Sequence, residues 1–334
     1  MGSALNFLSN TSVPDGEVRG CLTPAGATGV LYHAKPVIIW GGYIAARATG
    51  NFTPFKAFSN QMEALLTYWN SSSRYDARTG LWHWHDQLES GCDNLVLSEC
   101  PSQFSPECWS EDIAFSLASP DLQVFMYREY KAFSLFQRQW ANEATARGDA
   151  DAAALARDAD AGEARFRAVG AGIRAAVNDY LWHWENELAG VGWWAAWNRT
   201  TSAQIRNRTF QMALPLWEDL YVNVSQVEAA VRAVTAGDML GPWGVNSVSN
   251  QDPRYNNDNI IDPYSNWRGA PLTGEGRGRG ELGGEHGSSG GPTSTPSPTH
   301  HHRQPRMPLP TPHDAPHPPT PQAHSGSTST RSSP

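Results

Sequence analysis

The chain has 334 residues, with 33 acidic against 25 basic side chains for a formal net charge of −8, 40% hydrophobic residues and 14 tryptophans. This profile excludes a basic nucleic-acid binder, a collagen-like or wholly disordered chain and a small disulfide-stapled scaffold. The composition is uneven: every Phe, Tyr and Trp lies at or before Trp267, while 12 of the 24 prolines and 7 of the 11 histidines follow Pro271.

Residues 1–29 read as a partly ordered N-terminal segment. The opening Met-Gly-Ser-Ala-Leu-Asn has neither a basic nor an apolar leader region, so no signal peptide is visible. The strongest apolar run, Val37 to Trp40, is far shorter than the roughly 20 residues that span a bilayer, so no membrane span is expected.

Residues 53–69 are predicted to form one helix, with Thr53 as cap, Pro54 in the first turn, and Phe55, Phe58, Met62, Leu65, Leu66 and Trp69 on one face. Residues 119–140 repeat the pattern, with Ser119 as cap, Pro120 and Asp121 in the first turn, and Leu122, Phe125, Met126, Phe133 and Phe136 as the apolar stripe. From Asn142 to Leu181, Phe166, Val169, Ile173, Val177 and Leu181 share a helical face, with Gly162, Gly170 and Gly172 as candidate interruptions. A fourth helix is predicted over 203–213. A fifth, over 226–236, carries a Ser225/Glu228 capping box and ends at Gly237. Strand signals are sparse, so the predicted class is mainly α.

Leu81-Trp82-His83-Trp84 recurs as Leu181-Trp182-His183-Trp184, each after a helical stretch and before an acidic, glycine-containing loop. Repeating helix-then-aromatic-loop units point to a helical toroid whose loops gather at one end, with chance recurrence as the alternative. After Pro271 the sequence turns to Gly-Arg repeats, Ser/Thr/Pro runs and His300-His301-His302; lacking aromatics, residues 272–334 are predicted to be a disordered tail.

Four cysteines, Cys21, Cys92, Cys100 and Cys108, lack the close pairing of a zinc site, leaving buried thiols or a Cys100–Cys108 loop. Six Asn-x-Ser/Thr sequons, at Asn10, Asn51, Asn70, Asn198, Asn207 and Asn223, are about twice the number expected by chance and favour a secretory compartment.

The densest chemistry lies in Trp82-His83-Trp84-His85-Asp86-Gln87-Leu88-Glu89-Ser90-Gly91-Cys92-Asp93-Asn94. Indoles can cover a sugar ring while a shielded carboxyl of raised pKa gives up a proton. The alternative leaves Asp86 and Glu89 as surface charges, the tryptophans in the core and Asp93 as a helix cap. A second cluster runs through Gly241-Pro242-Trp243-Gly244-Val245-Asn246-Ser247, Asp252-Pro253-Arg254-Tyr255 and Tyr264-Ser265-Asn266-Trp267-Arg268-Gly269. It reads as a long ordered loop suited to a hydroxyl-rich ligand, or as a connection pinned by buried aromatics.

Glu89-Ser90-Gly91-Cys92-Asp93-Asn94, with Trp40-Gly41-Gly42 and Pro54-Phe55-Lys56 before it and Asp252-Pro253-Arg254-Tyr255 and Trp267-Arg268-Gly269 after it, resembles glycoside hydrolase family 63 over residues 30–271. Gln87-Leu88-Glu89-Ser90-Gly91 is most similar to the mannosylglycerate hydrolase branch. The resemblance implies an (α/α)6 toroid, hydrolysis of an α-glycosidic bond with inversion, a small saccharide or glycoside as substrate, and no cofactor or metal. It implies that Asp93 is the general acid, that Trp40, Trp84, Trp243 and Trp267 are aromatic walls, and that Gln87, Glu89, Asn94 and Arg268 orient hydroxyls or a substrate carboxylate. The second carboxylate of an inverting site is implied well beyond Trp267-Arg268-Gly269. There the sequence departs from the family pattern, since Glu275, Glu281 and Glu285 sit among glycines. The early Trp-Asp motif is also not found in residues 1–30. The expectation is therefore an incomplete toroid without its base, its tail translated from an unspliced or frameshifted region. Such a chain would either bind carbohydrate without hydrolysing it or have no function.

Overall fold

The computed structural model describes residues 22–23, 26–27, 35–84, 117–241 and 244–252. All belong to the unit Met1–Gly276; the second unit, Arg277–Pro334, lies outside the described residues, as do the four cysteines and the predicted tail.

Two short strands, β1 (Leu22–Thr23) and β2 (Gly26–Ala27), pair antiparallel ahead of helix α1 (Ile38–Thr49). Helix α1 buries Ile39, Gly42 and Ala46 at three- and four-residue spacing and stops at Gly50, whose φ of 64° is left-handed. The predicted helix over 53–69 is two helices, α2 (Thr53–Lys56) and α3 (Ser59–Trp69). Phe58 leaves the helical region at φ −108° and ψ 14°, and Thr53 is the first helical residue, not a cap. The bend lets Phe55 pack 5.2 Å from Phe136 and against Gly42, while Met62, Leu65, Leu66 and Trp69 remain on the buried face. Strands β3 (Tyr75–Asp76) and β4 (Leu81–Trp82) form a hairpin after α3.

After β5 (Leu117–Ala118) comes the longest described helix, α4 (Pro120–Arg147), about 42 Å long by its 28 residues. It outruns the predicted end at 140, because the chain first meets a left-handed stop at Gly148, φ 71°. Residues 142–147 thus belong to α4, and helix α5 runs from Ala152 to Ala176. The glycines of α5 do not break it. Gly162 lies opposite Gln137 and Gly170 opposite Tyr127, where a Cβ would come within 1.9 and 3.0 Å of those side chains, so two of the three permit close packing of α5 on α4. Five residues of π-helix, Val177–Leu181, end this helix, and the predicted face of Phe166, Val169, Ile173, Val177 and Leu181 joins the main core.

Strands β6 (Trp182–Asn186) and β7 (Val191–Trp194) form a hairpin with a bulge between Trp184 and Asn186, and β8 (Ala196–Asn198) lies between β5 and β9 (Ala203–Ile205). The predicted helix at 203–213 is therefore corrected to a strand followed by a 3₁₀ helix, Phe210–Glu218. Gln204 donates to the carbonyls of Tyr180 and Trp182, and Thr209 is extended, so sheet pairing prevails over local preference. Helix α6 (Val224–Thr235) starts two residues earlier than predicted. Its cap is Asn223, which accepts from Gln226 N–H, instead of the Ser225/Glu228 box, and its C-cap is Ala236 in place of Gly237. A last hairpin joins β10 (Leu240–Gly241) and β11 (Gly244–Val245). No described helix is long and apolar enough to cross a membrane.

Candidate active site

The first Leu-Trp-His-Trp quartet closes hairpin β3–β4 and the second opens hairpin β6–β7, and they are not equivalent. Leu81, Trp82, His83 and Trp84 are all buried, whereas Trp182, His183 and Trp184 are only partly so. The first quartet leads into segment 85–116, and the N-terminus of α4 holds the root of that segment closed. Trp84 N–H donates to Leu117 O at 3.2 Å, bringing the two ends together. The Trp84 indole N–H donates to Ser119 Oγ at 2.7 Å, and Ser119 donates in turn to Asp121 Oδ1. Gln123 completes the clamp by exchanging hydrogen bonds with the backbone of Trp82, at 3.0 and 2.9 Å.

Asp121 is 3% exposed and accepts from Ser119, from Leu122 N–H and from Gln211 Nε2. Burial pushes its carboxyl above the usual carboxylate range, opposed by those three hydrogen bonds and by Lys35. Gln211 lies at the start of the 3₁₀ helix. There Phe210 N–H donates to Ser247 O and Thr209 bridges Val248, so the 3₁₀ helix that Asp121 touches is paired with Ser247 of the second cluster and the adjoining Val248. Arg208 anchors the same region, with two contacts of 2.9 Å to Asp238 and a further pair to Glu185, its guanidinium 5.0 Å from the Trp193 ring. Asp238 also receives Ser249 Oγ at 2.5 Å, and Asn207 holds Asp252 at 2.6 Å.

Trp40 sits at the start of α1, a helix with no cap of its own. The carboxylate of Glu129, from the middle of α4, accepts from Ile39 N–H at 2.9 Å and Trp40 N–H at 2.8 Å. Burial raises the Glu129 pKa to about 7 against the pull of those N–H groups. The neighbouring Arg128 lies between two indoles, 4.3 Å from Trp40 and 4.6 Å from Trp217, and its Nε bonds Glu218 at 2.7 Å. Trp84 packs in the core edge-on to Trp69 at 6.1 Å and is 1% exposed.

His83 is fully buried, and neither ring nitrogen has a hydrogen-bond partner among the described residues. Burial first, then Arg199, lowers its pKa to about 4, with Asp76 opposing and Arg78 reinforcing the shift. Among the described residues no group of His, Cys, Asp and Glu is placed to hold a metal ion.

Of the predicted site residues, Trp40 and Trp84 are described. Asp93, Gln87, Glu89, Asn94, Trp243, Trp267 and Arg268 lie outside the described residues. Sequence reasoning missed Glu129, Gln123, Gln211 and Arg128. Glu129 had a signal, since it falls on the same helical face as Leu122, Met126, Phe133 and Phe136, a polar residue at a core position.

The family comparison decides what this frame belongs to: a profile described as the mannosylglycerate hydrolase MGH1-like glycoside hydrolase domain matches residues 6–271. The chain belongs to glycoside hydrolase family 63. The match spans both motif segments and begins upstream of residue 30, where the sequence resemblance was placed. Among solved structures, the family-63 chain shares its fold with an uncharacterized conserved protein from Thermus thermophilus. The two have 16% identity and a TM-score of 0.56, covering 79% of this chain and 69% of that one. The family-63 mannosylglycerate hydrolase of the same organism is similar in its complex with Tris, at 14% identity and TM-score 0.53, covering 79% and 71%. So it is in its complex with glucose, at 16% and 0.53, covering 79% and 69%. No curated protein sequence matches the chain significantly. The architecture is accordingly mainly α and of the (α/α)6 toroid type, with short hairpins before, between and after its described helices.

Proposed function

We propose that this glycoside hydrolase domain acts on the α-glycosidic bond of a small glycoside, such as a mannosyl- or glucosylglycerate or a glucose-capped oligosaccharide, and that Asp93 protonates the leaving oxygen. The observation that carries this reading is the family match over residues 6–271, which embraces both motif segments. In support, the roots of those segments are joined through Asp121 and Gln211. Arg268 suits an anionic aglycone through ion pairing, with Trp40, Trp243 and Trp267 as aromatic walls and Gln87, Glu89 and Asn94 orienting hydroxyls or a substrate carboxylate. Trp84, buried and bonded to Ser119, is assigned to holding the loop instead of facing the ligand.

Inversion needs a second carboxylate about 6.5–9.5 Å across the sugar to activate water. The matched residues stop at 271, before Glu275, Glu281 and Glu285. That favours a second reading, saccharide binding with impaired turnover. The deciding experiment is sugar release from mannosylglycerate and α-glucosides by the full chain, alongside calorimetric titration with the same compounds. Release that disappears in Asp93→Asn supports the hydrolase, and binding without release supports the second reading. Neither signal overturns both.

A further inference from the structure

We propose that Asn223 is an N-glycosylation site, modified by an oligosaccharide from a lipid-diphosphate donor, and that its glycan covers an exposed apolar strip on either side of it. The described structure separates the five sequons it contains by what each amide is doing. Asn198 is 7% exposed in β8, and its Oδ1 accepts from the N–H groups of Thr200 and Thr201. Asn207 spends its Nδ2 on Asp252 at 2.6 Å. Asn70 turns its Nδ2 inward to the hydroxyl of Tyr130, a residue 3% exposed. A glycan at any of these three would displace a native contact or have no path to solvent.

Asn223 is different. It is exposed, its Oδ1 caps α6 by accepting from Gln226 N–H at 3.1 Å, and Ser225, the hydroxyl of the sequon, donates to the same oxygen at 2.5 Å. Its Nδ2 has no hydrogen-bond partner among the described residues. Glycosyl transfer forms a bond between the sugar C1 and Nδ2 and breaks the bond from C1 to the donor's diphosphate oxygen. The lipid diphosphate leaves, and one amide proton is lost to the transferase base. The carbonyl oxygen is untouched, so the modified residue still caps the helix. Val222 and Val224, which flank it, are 66% and 67% exposed, a pair of β-branched side chains that a proximal sugar can shield from water. Asn51 is exposed as well, but its neighbour Phe52 is buried, leaving nothing there to cover.

The test uses the full chain directed into the secretory pathway of a eukaryotic host, with peptide mapping after enzymatic deglycosylation. Expected is conversion of Asn223 to Asp on deglycosylation, lost in both Ser225→Ala and Asn223→Asp. Ser225→Ala removes the sequon but keeps the Asn223 cap, and Asn223→Asp keeps a capping oxygen without an acceptor amide, so neither control depends on unfolding. The glycosylated chain is also expected to bind less of a hydrophobic dye than either variant. An unmodified Asn223 in folded, secreted protein, or occupancy at Asn198 or Asn207 in its place, overturns the proposal.

Discussion

Gln211 Nε2 donates to Asp121 Oδ2 at 2.9 Å, joining the 3₁₀ helix to the first turn of α4 across ninety residues of sequence. Through Ser119 and Trp84 on one side and the Phe210–Ser247 and Thr209–Val248 pairings on the other, this contact ties the Trp84–Leu117 pair to Ser247 and Val248. Removing the carboxylate takes away the oxygen atoms that receive Ser119, Leu122 N–H and Gln211 Nε2 in a buried site, so Asp121→Ala is expected to lose about 2–3 kcal/mol in denaturant unfolding. Asp121→Asn, which keeps one acceptor oxygen, is expected to lose about half of that. A wild-type unfolding midpoint for Asp121→Ala would show that the bridge is dispensable.

Glu129 and His83 oppose each other in pH dependence. Glu129 has an ordinary value of 4.5 and a folded value of about 7, so between those limits the folded chain keeps a proton that the unfolded chain has released. Stability from Glu129 therefore falls as pH rises through that window, by about 3 kcal/mol. His83 falls from 6.5 to about 4, so over pH 4–6.5 the unfolded chain binds the extra proton, and stability rises with pH by a similar amount. Asp121, also raised, adds to the Glu129 sense above its ordinary 3.8. The parent is expected to show a shallow profile between pH 4.5 and 6.5. Glu129→Gln should unmask stability that climbs with pH, and His83→Leu stability that declines. Urea midpoints measured at both ends of the window read the slopes; parallel profiles for the two variants would refute the assignment.

How much of this was legible beforehand depended on the range of the interaction. The apolar stripes of α4 and α5 were readable because a 3.6-residue period is local, and Pro120 marked a true helix start. What misled was competition from residues outside each predicted element, near or far. Asn223 captured the cap assigned to Ser225, and β8 drew Ala203–Ile205 out of a helix. Phe58 bent a helix so that Phe55 could reach Phe136. In the site, the resemblance rested on contiguous motifs such as Glu89–Asn94, which a sequence displays directly. The frame beneath them rests on pairs about ninety residues apart, Glu129 with Trp40 and Asp121 with Gln211; Glu129 carried a signal as a carboxylate on an apolar stripe, whereas Asp121 reads as an ordinary first-turn acid.

Arg128 is expected to resist conservative replacement. Its guanidinium is stacked between Trp40 and Trp217 while Nε holds Glu218, whose other oxygen takes Lys131 at 2.7 Å. A lysine can supply the charge but neither the flat stacking surface nor the directed Nε bond. Arg128→Lys should cost about 1–2 kcal/mol and blue-shift or quench tryptophan emission as the two indoles lose their spacer. If thermal midpoint and fluorescence both stay at parent values, the stack contributes nothing to holding Trp40.

Two glycines should respond oppositely to alanine, for a reason visible in what each Cβ would strike. At Gly162 the new methyl meets the end of the Gln137 side chain, whose Oε1 is buried without a hydrogen-bond partner among the described residues and can swing aside. Helix α5 would gain the better helix former, so Gly162→Ala is expected to be neutral or stabilising by up to about 1 kcal/mol. At Gly192 the methyl meets the His183 carbonyl oxygen at 2.8 Å, with the Trp182 ring at 2.8 Å and the Trp184 ring at 3.0 Å. The carbonyl belongs to the paired strand β6 and cannot move without breaking the β6–β7 register, in which Trp184 sits opposite Gly192. Gly192→Ala should therefore lose about 1–3 kcal/mol through overpacking. It should also alter the near-ultraviolet dichroism of the Trp182, Trp184 and Trp194 cluster, whose ring centroids lie 5.1 and 4.7 Å from Trp182. Equal thermal midpoints for the two alanine variants would contradict the packing described for both helix and hairpin.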